Sequence, residues 1–460
     1  MPDPRRWPDR MSATDAVFWT LGRAGAGRPT TAVLLEFGRT VDERQVRVAL
    51  QQLCDLWPRL GQRVVAVPFA AAPPEWIDDE GFALDNHFQR IAAPAEALPF
   101  LAAVRRRLSV PLREDRPLWQ ATLFDRAGAG THALLIEVHH AATEGLGISR
   151  LLQAIEATHL QPSPRRGPAG RTPRLATPDA LLWRALQYGI EELGESAGQL
   201  PAGLVDVLSA PLRHPEAIGR VLTGAVSEWF RWNRTSTTSR VAEARQRSRR
   251  LLTAEFDVRD LDAICAAGAV TADEVITTVL AAGLAAAWDE LGPAPAALNV
   301  LAPVTVAGRP LPALVSASIA PAVLAPAPWL AVVARTWREV DGPQRLRGYD
   351  VFARALQGLP DPLVRSIGCE WLGAGNAAHL TLPGPARSMR FAGETVARLW
   401  CFPPLPGSPP VAVSAHVYRR RLHLGFDLDP HRAPDPGDLV AAIGDAWKQL
   451  RAAVLRPQLR

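Results

Sequence analysis

The sequence predicts a two-domain protein of the α/β (α+β) class, and three observations carry that expectation. The chain has 460 residues, whereas one hydrophobic core rarely grows beyond about 250–300. Short β-branched runs alternate with segments of helical periodicity in both halves of the chain. Between the halves, residues 161–179 (QPSPRRGPAGRTPRLATPD) have the Pro-, Gly- and Arg-rich composition of a linker.

The elements follow in order. In the first region, 1–160, the apolar, β-rich run Thr30–Phe37 reads as a strand. Val41–Trp57 carries apolar residues at helical spacing behind the start signals Thr40 and Asp42. Gln62–Val67 reads as a short strand, Leu98–Leu108 as a helix, and Leu118–Phe124 and Ala133–His140 as strands. Ala127–Gly130 has the residues of a hairpin turn between those two strands. A helix is expected from Gly145 to Ala157.

The second region, 161–250, joins the linker to a helical stretch from Ala180 to Phe230, with Trp183 and Trp229. It reads as a bridging arm whose exposed face is the place for lipid or partner contact. The third region, 251–460, opens with a strand, Leu252–Phe256, and a short helix. Its strongest helix is Ala272–Leu291. Strands at Ala297–Val304 and Ser316–Leu324 precede a helix over Trp329–Val340. Strands follow at Ala378–Leu382, Val396–Phe402, Val411–Tyr418 and Arg421–Asp427, and the amphipathic helix Asp438–Val454 closes the series.

Composition narrows the function. The formal net charge is +5, and of the 51 basic residues only Lys448 is lysine. The arginine clusters (105–107, 165–166, 247–250, 419–421) are scattered and not interleaved with aromatics, so no nucleic-acid partner is expected. Small anions or an anionic membrane surface suit such a charge better. Cys54, Cys265, Cys369 and Cys401 form neither a CxxC pair nor a zinc spacing, which predicts free thiols and no metal. Arg5-Arg6 is followed by no apolar run, so no secretion signal is read and a cytoplasmic protein is expected. Ala317–Ala334 is apolar enough to suggest a membrane span, but Pro321, Pro326 and Pro328 interrupt it.

The segment that carries chemistry is Leu134–Gly147, LLIEVHHAATEGLG. Two adjacent histidines end an apolar strand, and strand alternation turns His139 and His140 to opposite faces. Ala141 and Ala142 leave room beside the rings, and Glu144-Gly145 turns the chain into the next helix. No Walker or Rossmann glycine loop and no Gly-x-Ser-x-Gly elbow accompany them.

HHAATEG resembles the HHxxxDG motif of condensation-type acyltransferases. The whole chain is similar to the bacterial wax ester synthase/diacylglycerol acyltransferase family. Met11–Phe18 (MSATDAVF) is similar to that family's opening segment, and Asp85-Asn86-His87 to a short strand motif. Arg116–Trp119 (RPLW) resembles its PLW element, Pro303-Val304-Thr305 its PVS element, and Leu382–Pro385 (LPGP) its late turn. Leu422–Asp427 (LHLGFD), followed by Pro434-Asp435, is similar to its closing strand and helix entry.

The resemblance implies two chloramphenicol-acetyltransferase-like lobes with an active-site tunnel between them. It makes His140 the general base that deprotonates an acceptor hydroxyl for direct attack on an acyl-CoA thioester, with acyl-CoA as a substrate rather than a bound cofactor. The acceptor implied is a hydroxylated lipid, a long-chain alcohol or diacylglycerol, met at the inner membrane or a lipid droplet. His139 is expected to be a buried residue that orients the loop. Glu144, where the family has Asp, is expected to form a structural ion pair, with Arg63 as a candidate partner. Pro117, Leu118 and Trp119 pack the lobe or line the tunnel. The family's Asn-Asp at the start of the central second-lobe helix is Ala272-Asp273 here; Thr271 and Asp273 are candidates to line the substrate tunnel, and Thr271 is a candidate to stand in for the missing Asn. Asp273 suits a helix N-terminal charge as well as a functional role. His416 and His423 read as core or surface residues. Two further readings stay open: a specialised condensation-like enzyme using another thioester donor, and a non-catalytic binder of acyl-CoA or lipid.

Overall fold

The computed structural model describes residues 9–23, 27–68, 72–143, 147–160, 177–187, 249–289, 298–304, 313–319, 326–340, 364, 377–382, 384–385, 387–406 and 410–455. Among them, two six-stranded sheets carry the architecture.

The first sheet is built mainly by the N-terminal region. After the helix α1 (Ala13–Arg23), β1 (Gly27–Arg28) and β2 (Thr30–Phe37) follow. The helix α2 (Glu43–Leu56) starts where the Asp42 carboxylate accepts from the Arg44 N–H, satisfying one of the free amides of its first turn. Next come the hairpin of β3 (Gln62–Val65) and β4 (Glu75–Asp78), then β5 (Phe88–Ala92) and α3 (Ala97–Leu108). The hairpin of β6 (Trp119–Arg126) and β7 (Thr131–His139) leads to α4 (Gly147–Leu160). Residues 178–187 form a further helix, α5.

Period-2 alternation explains how this sheet is buried on both faces. Val33 and Leu35 of β2 and Leu134, Ile136 and Val138 of β7 pack with α2 and α4 in one core. The intervening Ala32, Leu34, Ala133 and Leu135 pack with Phe100, Leu101 and Val104 of α3 in another.

The C-terminal region supplies the second sheet, its helices and three strands that lie outside that sheet. These are β8 (Arg250–Asp257), α6 (Val258–Gly268), α7 (Ala272–Asp289), β9 (Leu298–Val304), β10 (Ala313–Ile319), α8 (Pro326–Val340) and β11 (Ala377–Leu382). β12 (Arg390–Phe391), β13 (Glu394–Phe402), β14 (Leu405–Pro406), β15 (Val411–Tyr418), β16 (Arg421–Leu428) and α9 (Pro436–Leu455) complete the series. The strand order is β10-β9-β11-β15-β16-β8, with β11 parallel to both its neighbours. Val413, Leu424 and Phe426 face Val279 of α7 and Ile443 of α9 in the core of this half. A Cβ at Gly283 would stand 2.8 Å from the Ile443 Cα, so α7 and α9 approach as closely as they do only because Gly283 has no side chain.

One feature escapes a division at residue 251. β12 and β13 lie in the first sheet, in the order β12-β13-β2-β7-β6-β5, and β14 pairs with β1. The C-terminal region therefore closes the edge of the N-terminal sheet. β13 also rests on the second sheet. The Ser414 hydroxyl donates to the Cys401 carbonyl, His416 Nε2 lies 3.0 Å from the Leu399 carbonyl, and a Cβ at Gly425 would collide with the Cys401 carbonyl at 2.2 Å. His416 and His423 are both buried in this contact.

Other elements depart from the sequence reading. α1 has no counterpart among the elements that apolar spacing marks in the sequence. Leu84–Asn86 is a 3-10 turn, and the strand beside it starts only at Phe88. The apolar stretch 317–334 is divided between the end of β10 and α8. Among the described residues, no single helix is long and apolar enough to cross a membrane. The bridging arm lies outside the described residues except for α5 and residues 249–250.

Candidate active site

β7 delivers the histidines. Its last residue, His139, pairs with Thr30 of β2. His140 already begins the 3-10 turn His140–Thr143, so strand alternation does not govern its direction. Both rings lie against α1. Phe18 packs on His140 with the rings tilted by 47° and centroids 4.2 Å apart, and Trp19 meets His139 edge-on at 5.5 Å.

The turn is fixed by its own polar groups. The His140 N–H donates to the Pro29 carbonyl at 2.7 Å. The Thr143 hydroxyl donates to the His140 carbonyl at 2.6 Å and accepts from the Gly147 N–H at 2.9 Å. Gly147 has φ +55°, and a Cβ there would lie 3.5 Å from His140 Cε1. Glycine thus relieves backbone strain and keeps the wall beside the imidazole open.

The two histidines differ in burial and hydrogen bonding. His139 is buried, and its Nδ1 accepts from the Ala141 N–H at 3.1 Å. That bond makes it a part of the turn. His140 is half-buried, and its Nδ1 is sealed from solvent with no hydrogen-bond partner among the described residues. Desolvation holds the His140 pKa down at about 4. Desolvation, with the nearby His140, lowers His139 to about 3. Both imidazoles are therefore neutral at neutral pH, and an uncharged imidazole can take a proton.

A buried ionic network stands behind the pair. Asp427 of β16 accepts from Arg249 at 2.7 Å and from Arg28 at 3.1 Å. Arg28 also donates to the Thr30 carbonyl at 3.0 Å and the Pro403 carbonyl at 3.0 Å. Thr30 pairs with His139, and Pro29 holds the His140 N–H, so a carboxylate of the second sheet anchors the segment that supports both histidines. Two residues before His139, the buried Glu137 lies 3.3 Å from Arg107. Burial raises the Glu137 pKa to about 7, against the pull of Arg107 and Arg28.

The remaining sequence candidates separate into groups. Pro117, Leu118 and Trp119 are buried beside the pair, with the Leu118 carbonyl accepting from the His139 N–H at 2.9 Å. Leu118 and Trp119 belong to the first core, and the Trp119 indole donates to the Leu60 carbonyl at 2.8 Å. Thr271 is exposed and caps α7. Its N–H donates to the Glu274 carboxylate at 2.7 Å, and its hydroxyl accepts from the Glu274 N–H at 3.3 Å. This reciprocal capping box engages the Thr271 N–H and hydroxyl oxygen, its carbonyl accepts from the Val275 N–H at 3.1 Å, and Asp273 sits in the first turn behind it. Glu144 and Gly145 lie outside the described residues, and with them the expected partnership of Glu144 and Arg63. Phe18, Pro29 and Gly147 are site residues that the motif alone did not indicate. Among the described residues no cluster of His, Cys, Asp and Glu could hold a metal ion.

The chain has relatives among known proteins in both structure and sequence. In structure, the chain is similar to a wax ester synthase/diacylglycerol acyltransferase from Marinobacter aquaeolei VT8, with a TM-score of 0.62 at 17% identity over 97% of this chain and 100% of that one. It is also similar to the first condensation domain of the CDA synthetase, with a TM-score of 0.56 at 17% identity over 99% and 98% of the two chains. In sequence, it is 28% identical over 251 residues to a Mycobacterium tuberculosis protein named as a candidate diacylglycerol O-acyltransferase, which is 54% of this chain and about half (51%) of that protein. A second M. tuberculosis protein, named as a probable diacylglycerol O-acyltransferase, is 23% identical over 90% of this chain and 89% of its own length. Residues 11–276 match the family described as the wax ester synthase/diacylglycerol acyltransferase catalytic domain, more than half of the 460 residues, and the chain belongs to that family.

Proposed function

We propose that the protein transfers a fatty acyl group from acyl-CoA to the hydroxyl of a long-chain alcohol or diacylglycerol, with His140 as general base. The observation that carries this reading is a neutral imidazole fixed through its backbone N–H, with Phe18 against its ring. The acceptor O–H gives its proton to His140 as the oxygen attacks the thioester carbonyl. The tetrahedral intermediate then collapses, the C–S bond breaks, and the CoA thiolate takes the proton back. No acyl-enzyme is needed. Desolvation without a nearby counter-charge is what pushes the His140 pKa down to about 4. The oxyanion of the intermediate would supply that charge, so the base strengthens as the reaction advances.

In this reading the substrates meet in a tunnel between the two halves, walled in part by the Pro117–Trp119 segment. Glu144 would fix the histidine loop by an ion pair. The working location would be the cytoplasmic side of a membrane or a lipid droplet. The test is release of free CoA thiol from palmitoyl-CoA with hexadecanol, diacylglycerol or no acceptor. Acceptor-dependent release supports the reading and names the acceptor. Folded protein that releases no thiol with any acceptor overturns it in favour of another thioester donor or of binding alone.

A further inference from the structure

A cavity of about 440 Å³ opens beside the C-terminal end of α3, at the edge formed by β5 and β6. Its charged lining is wholly cationic: Arg106, Arg107, Arg113 and Arg116 face it and no carboxylate does. The helix dipole explains basic residues in the last turn of α3. It does not explain Arg113 and Arg116, which reach the same cavity from the loop that follows.

Counter-charges cover only part of this set. Asp115 holds Arg113 at 3.0 Å and lies 3.7 Å from Arg116, and the buried Glu137 lies behind Arg107. Arg106 is exposed, and its side chain has no ion pair or hydrogen bond among the described residues. The Arg107 Nε is buried and unbonded among those residues. The same cavity has an apolar side, where Val110 is 55% exposed next to Pro111 and Leu112.

A planar guanidinium fork matches the oxygens of a phosphate, and several of them on one wall select for more than one negative charge. An apolar shelf beside them selects for a ligand that is not purely ionic. We propose that this cavity is a binding subsite for the phosphate groups of an amphiphilic phosphate ester. It deepens the acyltransferase reading, since acyl-CoA and anionic phospholipid both carry that chemistry. Its position suits such a role: Trp119 lines the cavity, and its neighbour Leu118 holds the His139 N–H.

The test is a pair of charge-matched variants. Arg106→Glu/Arg113→Glu reverses two cavity charges, and Arg39→Glu/Arg259→Glu reverses two exposed charges elsewhere. Each is measured against the wild type for CoA binding by calorimetry and for sedimentation with phosphatidylglycerol or phosphatidylcholine vesicles. The cavity variant is expected to lose about tenfold or more in affinity for CoA or for phosphatidylglycerol vesicles, with the control within about twofold. The probe that is lost identifies the source of the phosphate. Equal losses in both variants, or a wild type that binds neither probe, overturn the inference. Binding is read without turnover, so protein that transfers acyl groups but passes this test unchanged refutes the subsite alone.

Discussion

Asp427→Asn probes the link between the two sheets and the histidines. The Asp427 carboxylate is completely buried between Arg28 and Arg249, whose side chains are 10% and 2% exposed. Arg105 also adds positive field at this carboxylate. Asparagine keeps the shape and removes the charge, leaving buried guanidiniums without their shared counter-ion. Breaking a buried pair in this way costs about 3–5 kcal/mol. Asp85→Asn is the control, because Asp85 is 82% exposed in its pair with Arg47, and exposed pairs contribute about 0–1 kcal/mol. Equilibrium urea unfolding followed by tryptophan fluorescence is the assay. The account predicts a clear fall in the Asp427→Asn midpoint and almost none in Asp85→Asn. It also predicts slower acyl transfer, since Arg28 anchors the Pro29–Thr30 segment under both histidines. Asp427→Asn with wild-type stability and rate would refute the argument.

Three further predictions concern the site. Gly147→Ala and Gly130→Ala both place a side chain at positive φ, +55° and +62°, but only the first brings a Cβ against His140; Gly147→Ala should lower kcat about ten- to a hundredfold while Gly130→Ala affects stability alone, and equal activity of the two would contradict the assigned role of Gly147. Thr271→Ala should cost about 1 kcal/mol through its capping box and leave kcat intact; a rate loss without a stability loss would instead assign Thr271 to substrate. The pH dependence has a definite sign. Burial lowers His139, His140 and His416 to about 3, about 4 and about 3, from 6.5. Each therefore binds a proton on unfolding and removes about 1.4 kcal/mol of stability per pH unit as pH falls from 6.5 towards its folded value. Glu137, raised to about 7, works in the opposite direction between 4.5 and that value. The histidines outnumber it, so the urea midpoint should drop between about pH 7 and about pH 5; a midpoint that rises over that interval would contradict the burial argument.

Much of this architecture is legible in the sequence because strand and helix periodicities write it directly. Thr30–Phe37, Val411–Tyr418 and the helix from Ala272 follow from residues whose apolar spacing matches their burial. The histidine pair is legible because HHAATEG is a contiguous motif at the end of an apolar run. What periodicity does not encode is partnership over long distances. Nothing local in Glu394–Phe402 says that it joins the first sheet beside β2, since its apolar pattern suits either core. The Arg28–Asp427–Arg249 network unites residues up to 399 positions apart, and each looks alone like an ordinary surface charge. Phe18 ends a segment that resembles the family's opening, and nothing local in that segment encodes its contact with His140. Thr271 shows the converse: its position beside a motif suggested chemistry, and its hydrogen bonds describe a helix cap.

The central claim is that His140 accepts the acceptor's proton, and the most direct measurement is CoA thiol release by wild type and His140→Ala, with folding checked by circular dichroism. The account predicts that acceptor-dependent release falls by about 10²–10⁴ in a folded variant. Release by His140→Ala at the wild-type rate would contradict it.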